Sequence, residues 1–521
     1  MAGNAEAARS HYELALALYQ SVGIPLGEAQ TRRFLAGLDH AEGNLSGALT
    51  HALESVRCLE VMRGSIGSEV ARSAFHRQWS EAYAFALDLA AEGIASGLLG
   101  SGEAALEIAE SARSGSLAEV LRGGGISVSG EAAELLERIV ALEAQLIIEP
   151  PFGGERRGPE PSAARTAGIA RDLAALRDEL AMVVSRSFAS AFRPGRPDVG
   201  AITDVLRGED SHALVFNLER DDDGAATGHV VWVQPSGDVT VERVVLDVDL
   251  VDFIRRFELN KGDDVHLQAA FRWDALGKAL LPQGLRELLI NTERVVSLVV
   301  VPDGVTQALA LSALNVGDGT KVVHHALVRT IPSLTLLSAL ATSLPRRCVG
   351  TLAHFDHTLT TQSEAAAVGT LGGDFAPVTE TTTRDEVLDA LSSPTLLWAM
   401  GTHCDAGDGL AQSIRLDDGG ALSAGALLGH ATPQLVSLGS CFGARLPLGL
   451  ATVCLTQGTR TVLGPLLDID DPSAGVVLAE VYQLLGSHSP AEALRTAQLS
   501  YLDANPGASP REWAVLISLG I

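Results

Sequence analysis

Apolar positions in the first part of the chain recur with the spacing of helices. Leu14 and Leu18 share one helical face, and Leu45, Leu49 and Leu53 share another. Helix-breaking residues separate these segments, at Gly23-Ile24-Pro25, at Gly43-Asn44 and at Gly100-Ser101-Gly102. The pattern predicts that residues 1–122 are helical throughout.

Two segments of this helical part resemble each other. They are EAARSHYELALALYQSVGIP and EGNLSGALTHALESVRCLE, in which Ala15 and Ala48 lie 33 positions apart. This distance is close to the tetratricopeptide period of about 34 residues. Stacked repeats of this kind form an open array whose concave face suits a protein or peptide partner. An ordinary helical bundle is the alternative, because it shows the same helical spacing without a repeat.

A glycine run at residues 123–125 ends the helical part. Residues 130–148 and 163–190 show amphipathic helical spacing, and residues 149–162 between them are rich in Pro, Gly and charge. We therefore expect residues 123–195 to be a helical linker, an antiparallel helix pair with a flexible loop.

From residue 196 onward, short apolar runs alternate with helical segments. Runs typical of strands lie at 212–218, 228–234, 239–246, 295–301, 348–353, 396–400, 435–438 and 460–467. Helical spacing lies at 247–260, 265–292, 305–315, 333–343, 364–371, 385–391, 423–430, 448–457, 473–485 and 490–502. Such alternation predicts an α/β fold in which helices cover both faces of a mostly parallel sheet.

Two of the apolar runs end in residues that can perform chemistry. The run at 396–400 is followed by GTH, which ends at His403, and the run at 435–438 by GSC, which ends at Cys441. With the helix expected between them, the two runs predict a β-α-β unit of a parallel sheet. Because reactive groups gather outside the carboxyl ends of such strands, His403 and Cys441 are candidates for a base and a nucleophile.

The chemistry of a thiol explains why this pair is of interest. A cysteine attacks as the thiolate, and its ordinary pKa is about 8.5. A neighbouring His can take the proton, and a helix beginning after Cys441 would favour the thiolate. The backbone N–H of Cys441 could form part of an oxyanion hole. The alternative is a buried structural cysteine near a histidine that is only hydrogen-bonded.

Other cysteines and histidines have simpler interpretations. Cys404 directly follows His403, which is a poor geometry for proton abstraction, and we expect it to line the site. His403, Cys404 and Cys441 could together hold a metal ion, but a fourth ligand at the usual spacing is lacking, so no metal or cofactor is expected. We expect His354, His357 and His430 at the surface or in packing.

Composition narrows the class of protein. The chain has 521 residues, of which 46% are hydrophobic, so it can form several cores. A net charge of −26 argues against direct binding of nucleic acid or anionic membranes. Five irregularly spaced cysteines fit a reducing cytoplasm. No apolar run reaches the roughly 18 residues of a membrane span, and no signal peptide is expected.

An ordered series of motifs between about residue 200 and residue 521 resembles the CHAT domain, a caspase-like peptidase domain related to caspases and separases. The matching segments, in chain order, are VVPDGVTQALALSAL, VRTIPSLTLLSAL, SEAAAVGTL, WAMGTHC, SIRLDDGGALSAGALL, LVSLGSCFGA, GTRTVLGPLLDIDDPSAGVVLAEVYQLL, SPAEALRTAQLSYL and EWAVLISLG. The segment EIAESARSGSLAEVL resembles the helix that joins tetratricopeptide repeats to this domain.

The resemblance implies roles for individual residues. It makes His403 the general base and Cys441 the nucleophile, with the backbone N–H groups of Cys404 and Cys441 as the oxyanion hole. The family usually has Gly at the position of Cys404, and only Gly freely adopts positive φ. It often has a further His just before the catalytic one, where this chain has Trp398 and Ala399.

Three acidic residues follow the strand after Cys441. In the related peptidases this loop walls the S1 pocket, so Asp468, Asp470 and Asp471 are candidates for selecting a basic P1 side chain. The alternative is that these aspartates cap the following helix, near Pro472-Ser473.

The sequence thus indicates three parts: tetratricopeptide-like repeats at 1–122, a helical linker at 123–195 and a caspase-like CHAT domain at 196–521. The expected function is a cytoplasmic cysteine endopeptidase that cleaves a specific protein and is gated by a protein partner on the repeats. Two alternatives remain, a catalytically inactive scaffold for protein–protein interaction and a thiol redox sensor at Cys404 and Cys441.

Overall fold

The computed structural model describes most of the chain outside the predicted linker. The described ranges are 2–64, 69–111, 197–221, 223–259, 269–343, 348–356, 361–391, 393–405, 412–416, 420–427, 430–440, 443–444, 449–468 and 471–521, with Leu135, Arg138, Asp172, Ala175, Leu176 and Glu179. Nearly all of the expected linker, and the candidates Cys441 and Asp470, lie outside the described residues. Within these ranges no helix is long and apolar enough to cross a membrane.

The described residues form two compact units. Those within 1–119, 188–257 and 261–342 make up the first unit, and those within 120–187, 258–260 and 343–521 make up the second.

The first unit begins with five helices. They are α1 Ala2–Val22, α2 Pro25–Ala41, α3 Leu45–Gly64, α4 Glu69–Ala95 and α5 Ser101–Ser111. The boundaries α1–α2, α2–α3 and α4–α5 lie close to the three predicted breaks, whereas the boundary between α3 and α4 was not predicted. Each helix packs against its neighbour in the chain. Arg57 on α3 also reaches α5, where its Nε and Nη2 lie 2.6 and 2.7 Å from the carboxylate oxygens of Glu107. The helical prediction is confirmed over this part, and the tetratricopeptide-like repeat stays a prediction.

The first unit continues with a five-stranded mixed sheet. Its strands are β1 Ser211–Arg220, β2 Ala226–Val233, β3 Val239–Leu246, β4 Val296–Val301 and β5 Ala326–Thr330, in the order β3-β2-β1-β4-β5. The β1–β2 and β2–β3 pairs are antiparallel, whereas β1–β4 and β4–β5 are parallel. The helices here are α6 Val199–Gly208, α7 Val248–Glu258, α8 Ala270–Leu280, α9 Gln283–Asn291, α10 Val322–His325 and α11 Leu334–Thr342.

The second unit contains a six-stranded, mostly parallel sheet. Its strands are β6 Thr351–Phe355, β7 Val378–Glu380, β8 Leu397–Gly401, β12 Leu435–Leu438, β13 Thr461–Pro465 and β14 Leu516–Gly520, in the order β14-β13-β12-β8-β6-β7. Only the β13–β14 pair is antiparallel among these strands. Three short strands, β9 Cys404–Asp405, β10 Ser413–Arg415 and β11 Ala421–Ser423, form a separate antiparallel sheet.

Helices flank this sheet, as the alternating pattern predicts. They are α12 Gln362–Gly369, α13 Arg384–Ala390, α14 Leu450–Thr456, α15 Asp471–Leu484, α16 Pro490–Ala504 and α17 Pro510–Trp513. Apolar side chains of α15 and α16, among them Leu478, Tyr482 and Leu494, pack on Leu397 and Leu435 of the strands in one buried cluster. The α/β fold class is therefore confirmed.

Two local expectations are wrong, and several strands were not predicted. The helix expected over 265–292 is two helices, because Pro282 lacks the N–H that a continuous helix requires there. The segment expected as a helix at 423–430 begins with β11 and a short 3₁₀ turn, Ala424–Leu427. The sequence analysis did not predict strands β5, β7 and β14 or the short strands β9–β11. Few of their residues alternate clearly between apolar and polar.

Candidate active site

Strands β8 and β12 are parallel neighbours, and their register brings two loops to one edge of the sheet. Leu397 lies opposite Leu435, and Met400 lies opposite Leu438. The backbone N–H of Gly439 continues this contact by donating to the Met400 carbonyl over 2.6 Å. The segments that lead to His403 and to Cys441 therefore leave the sheet side by side, as the sequence analysis predicts.

The glycine that ends β12 is required by close packing. A Cβ atom at Gly439 would lie 2.7 Å from the Met400 carbonyl oxygen and 2.9 Å from Oε2 of Glu364, both shorter than real Cβ contacts. Glu364 is a buried carboxylate at the start of α12. Two backbones can approach this closely only where one of them carries no side chain.

His403 stands two residues beyond β8 and is exposed to solvent. Its backbone is held, because its carbonyl accepts a hydrogen bond from the Arg415 N–H over 2.9 Å. The preceding residue, Thr402, is buried, and its Oγ1 donates to the Arg415 carbonyl over 2.8 Å. The imidazole is thus accessible at the sheet edge while the main chain beneath it is fixed by β10.

Cys404 is half-buried and begins β9, where it lies opposite Ile414 of β10. Hydrogen-bonded and non-hydrogen-bonded pairs alternate along an antiparallel ladder. Since the neighbouring pair of His403 and Arg415 is hydrogen-bonded, the backbone N–H of Cys404 points away from β10. The side-chain Sγ lies 3.5 Å from Nε2 of Gln412.

Gln412 links this loop to the helix that follows the predicted nucleophile. Its side-chain Oε1 accepts a 2.7 Å hydrogen bond from the N–H of Leu450, the first residue of α14. Gln412 is buried, and its carbonyl accepts from the N–H of Ala424 over 2.8 Å. The sequence analysis did not identify Gln412, because a single glutamine in a loop carries no spacing signal.

The described residues around Cys441 show how its strand is supported. Ser437 on β12 is hydrogen-bonded to the hydroxyl of Tyr482 on α15 over 2.8 Å, and both side chains are buried. Burial raises the pKa of Tyr482 far above its ordinary value. Ser440 is also buried, which sets the backbone just before Cys441 inside the protein. Cys441 itself lies outside the described residues.

The three candidate aspartates follow β13. Asp468 is exposed, and its backbone carbonyl accepts a hydrogen bond from the guanidinium of Arg511, a buried residue of α17. Helix α15 begins at Asp471, so Asp470 and Asp471 hold sequence positions at which carboxylates stabilise a helix N-terminus. Asp470 and the side chain of Asp471 lie outside the described residues.

Among the residues that the structure describes, no group of three or more His, Cys, Asp and Glu side chains could hold a metal ion.

One family model matches the C-terminal part of the chain. Residues 272–521 match the family model described as the CHAT domain. No curated protein matches the chain. Similar solved structures include two crystal structures of the Saccharomyces cerevisiae separase–securin complex, at 2.6 and 3.0 Å resolution, with TM-scores of 0.46 and 0.48 and 9% identity in each case.

The alignments to these two structures cover 98% and 92% of this chain, but 53% and 37% of the separase-complex chains. The chain therefore spans about half, or less, of the solved chains that it resembles. The range that matches the family model begins in α8, and it contains β8, β12 and the loops after them. The segment with the candidate active site is thus similar to the CHAT domain, a caspase-like family.

Proposed function

We propose that the chain is a cysteine endopeptidase in which His403 and Cys441 act as a dyad. The observation that supports this most is the parallel register of β8 and β12, which directs the loops toward both residues to one sheet edge. The exposed imidazole of His403 on a backbone held by Arg415 is consistent with a base that meets substrate. The match of residues 272–521 to the CHAT domain agrees with this chemistry.

The proposed reaction uses these residues in sequence. The Cys441 thiol transfers its proton to His403, and the thiolate forms a bond with the carbonyl carbon of the scissile peptide. The backbone N–H groups of Cys404 and Cys441 stabilise the developing oxyanion. His403 then protonates the amine nitrogen as the peptide C–N bond breaks. A water molecule next gives a proton to His403 while its oxygen bonds to the acyl carbon, and the C–S bond breaks to release the acid and the Cys441 sulfur, which regains its proton from His403.

The substrate class and the regulation are finer parts of the same proposal. Asp468, with Asp470 and Asp471, would select a basic P1 side chain through a charge-assisted pair. A protein partner that binds the helical array would gate the activity, and the few cysteines suit a reducing cytoplasm. A scaffold without catalysis is the competing function, and the replacement of the usual Gly by Cys404 is the feature that favours it.

Covalent labelling tests the dyad. Wild type, Cys441→Ala and His403→Ala are treated with a peptidyl acyloxymethylketone carrying Arg at P1, in the presence and absence of cell lysate, and labelling is measured by intact mass. Labelling of wild type that is lost in both Cys441→Ala and His403→Ala supports the dyad. Cys454→Ala is the matched control, because burial raises the pKa of Cys454 to about 12 and keeps its thiol unreactive.

The identity of the P1 side chain is varied in parallel. Equal labelling by probes with Arg and with uncharged P1 groups would contradict the acidic pocket and leave the dyad standing. Two results would refute the peptidase and favour the scaffold. One is labelling that persists in Cys441→Ala, and the other is a wild type that no probe labels, with or without lysate.

A further inference from the structure

His354, near the end of β6, makes two hydrogen-bonding contacts beneath the candidate active site. Its side chain is 2% exposed. Ring atom Nδ1 lies 2.7 Å from the carbonyl oxygen of Thr381, and Nε2 lies 3.2 Å from the carbonyl oxygen of Arg415. Both partners are carbonyl oxygens, which accept hydrogen bonds, so the ring can act only as a donor in either contact.

The second contact leads directly to the candidate base. The Arg415 carbonyl that faces His354 also accepts the hydrogen bond from Oγ1 of Thr402. The N–H of the same Arg415 donates to the carbonyl of His403. A single residue of β10 therefore connects the ring of His354 to the backbone that presents the His403 imidazole.

A buried histidine at position 354 needs a reason beyond packing of the core. A buried polar ring is unfavourable by roughly 1–3 kcal/mol unless its hydrogen bonds are formed, and an apolar side chain would fill the same space without that penalty. The benefit of a histidine here is that it holds two chain segments at defined distances. One segment follows β7, and the other is β10, which adjoins His403.

We propose that His354 is a positioning residue for the peptidase reaction, acting on His403 through Arg415: the ring holds the Arg415 carbonyl, and the Arg415 N–H holds the backbone of His403. This inference rests on the proposed function, in which His403 is the base. A base displaced by about 1 Å can lose roughly 100-fold in rate although the fold is intact.

Two amide substitutions separate the two contacts of the ring. The side-chain nitrogen of Asn corresponds to Nδ1 of His, and that of Gln corresponds to Nε2. His354→Asn therefore keeps the contact with Thr381 and loses the contact with Arg415, whereas His354→Gln keeps the contact with Arg415. His488→Asn, at an exposed histidine of the same unit, is the matched control.

The readouts are kcat and KM on a peptide that the wild type cleaves, the unfolding temperature, and hydrogen exchange of the Arg415 amide in a proteolytic peptide covering residues 412–416. We expect His354→Asn to lower kcat about 10- to 100-fold with KM nearly unchanged, and to speed exchange at Arg415. His354→Gln should keep kcat within about threefold of wild type and leave Arg415 exchange slow.

The results also distinguish this inference from the proposed function. Equal kcat in the Asn and Gln variants, or unchanged Arg415 exchange in His354→Asn, would overturn the positioning role while the peptidase stands. If kcat falls in both variants in proportion to the fall in unfolding temperature, His354 is a structural residue only. An inactive wild type would overturn the peptidase, and the positioning role with it, even if Arg415 exchange still responds to His354→Asn.

Discussion

Glu110 offers the sharpest test of how the helical array is joined to the rest of the first unit. Glu110 lies in the segment EIAESARSGSLAEVL, and its hydrogen-bond partners lie in VRTIPSLTLLSAL. The contact of Glu110 with Leu334 joins residues that are 224 positions apart in the chain. The fully buried Glu110 carboxylate accepts from the N–H of Leu334 over 3.1 Å and from the N–H and Oγ1 of Thr335 over 2.9 and 3.0 Å.

These contacts cap helix α11 from another part of the fold. Leu334 and Thr335 are the first two residues of α11, and the third N–H, of Leu336, is bonded to Oγ of Ser333 over 3.1 Å. The initial N–H groups of a helix have no partner within the helix. A carboxylate at this end is also favoured by the helix dipole.

The magnitude follows from the number and type of these bonds. A hydrogen bond to a charged group contributes about 1.5–3 kcal/mol, and a buried N–H left without a partner costs about 1–3 kcal/mol. Since such contributions are not additive, we expect Glu110→Ala to lower the local free energy of unfolding by about 3–5 kcal/mol. Glu110→Gln keeps one acceptor oxygen but turns an NH₂ group toward a donor, so a loss of about 1–3 kcal/mol is expected.

Hydrogen exchange measures this effect at the helix itself, because a chain with two compact units need not unfold in one step. Each 1.4 kcal/mol is a factor of ten, so the Leu334 and Thr335 amides should exchange roughly 100-fold faster or more in Glu110→Ala. Urea unfolding should show a lower midpoint in the same variant. The control is Glu103→Gln, at an exposed site on α5, where a change of at most about 0.5 kcal/mol is expected. If Glu110→Ala behaves like this control, the carboxylate is not the cap.

Two further predictions concern the second unit. Gly439→Ala should lower the free energy of unfolding by about 1–3 kcal/mol and abolish labelling by the probe, because the new Cβ lies 2.7 Å from the Met400 carbonyl oxygen. The control is Gly486→Ala, whose new Cβ has no atom within 4 Å. It should change neither the thermal unfolding nor the labelling. Ser489→Ala should reduce stability by about 1 kcal/mol at pH 7 through loss of a helix N-cap. The hydrogen bonds from Ser489 lower the pKa of Glu492, so their contribution is present above the ordinary carboxyl range and is lost as the pH falls through the lowered pKa. Urea unfolding of wild type and Ser489→Ala from pH 7 to pH 3 measures this. A stability difference between the two that increases as the pH falls would contradict this account.

The residues that the sequence placed well have local signals. The runs at 396–400 and 435–438 are strands at Leu397–Gly401 and Leu435–Leu438, because a strand buried in a parallel sheet must be apolar on both faces. Glycines and prolines mark the helix ends of the array, since they disfavour continued helix. The positions of His403 and Cys441 after two such strands were therefore visible from the chain alone.

The supporting residues were not visible, because their partners are distant or belong to the backbone. His354 was expected at the surface or in packing, and only the folded chain brings its ring to the carbonyls of Thr381 and Arg415. Gln412 and Glu110 likewise gain their roles from N–H groups at the starts of helices 38 and 224 residues away. The sequence by itself determined the helices of the array and the buried apolar strands such as β4, β8 and β12, since these depend on local spacing and on turn residues. Tertiary structure alone decided strand order and which polar groups hold the candidate base, because these depend on contacts between segments that local patterns do not encode.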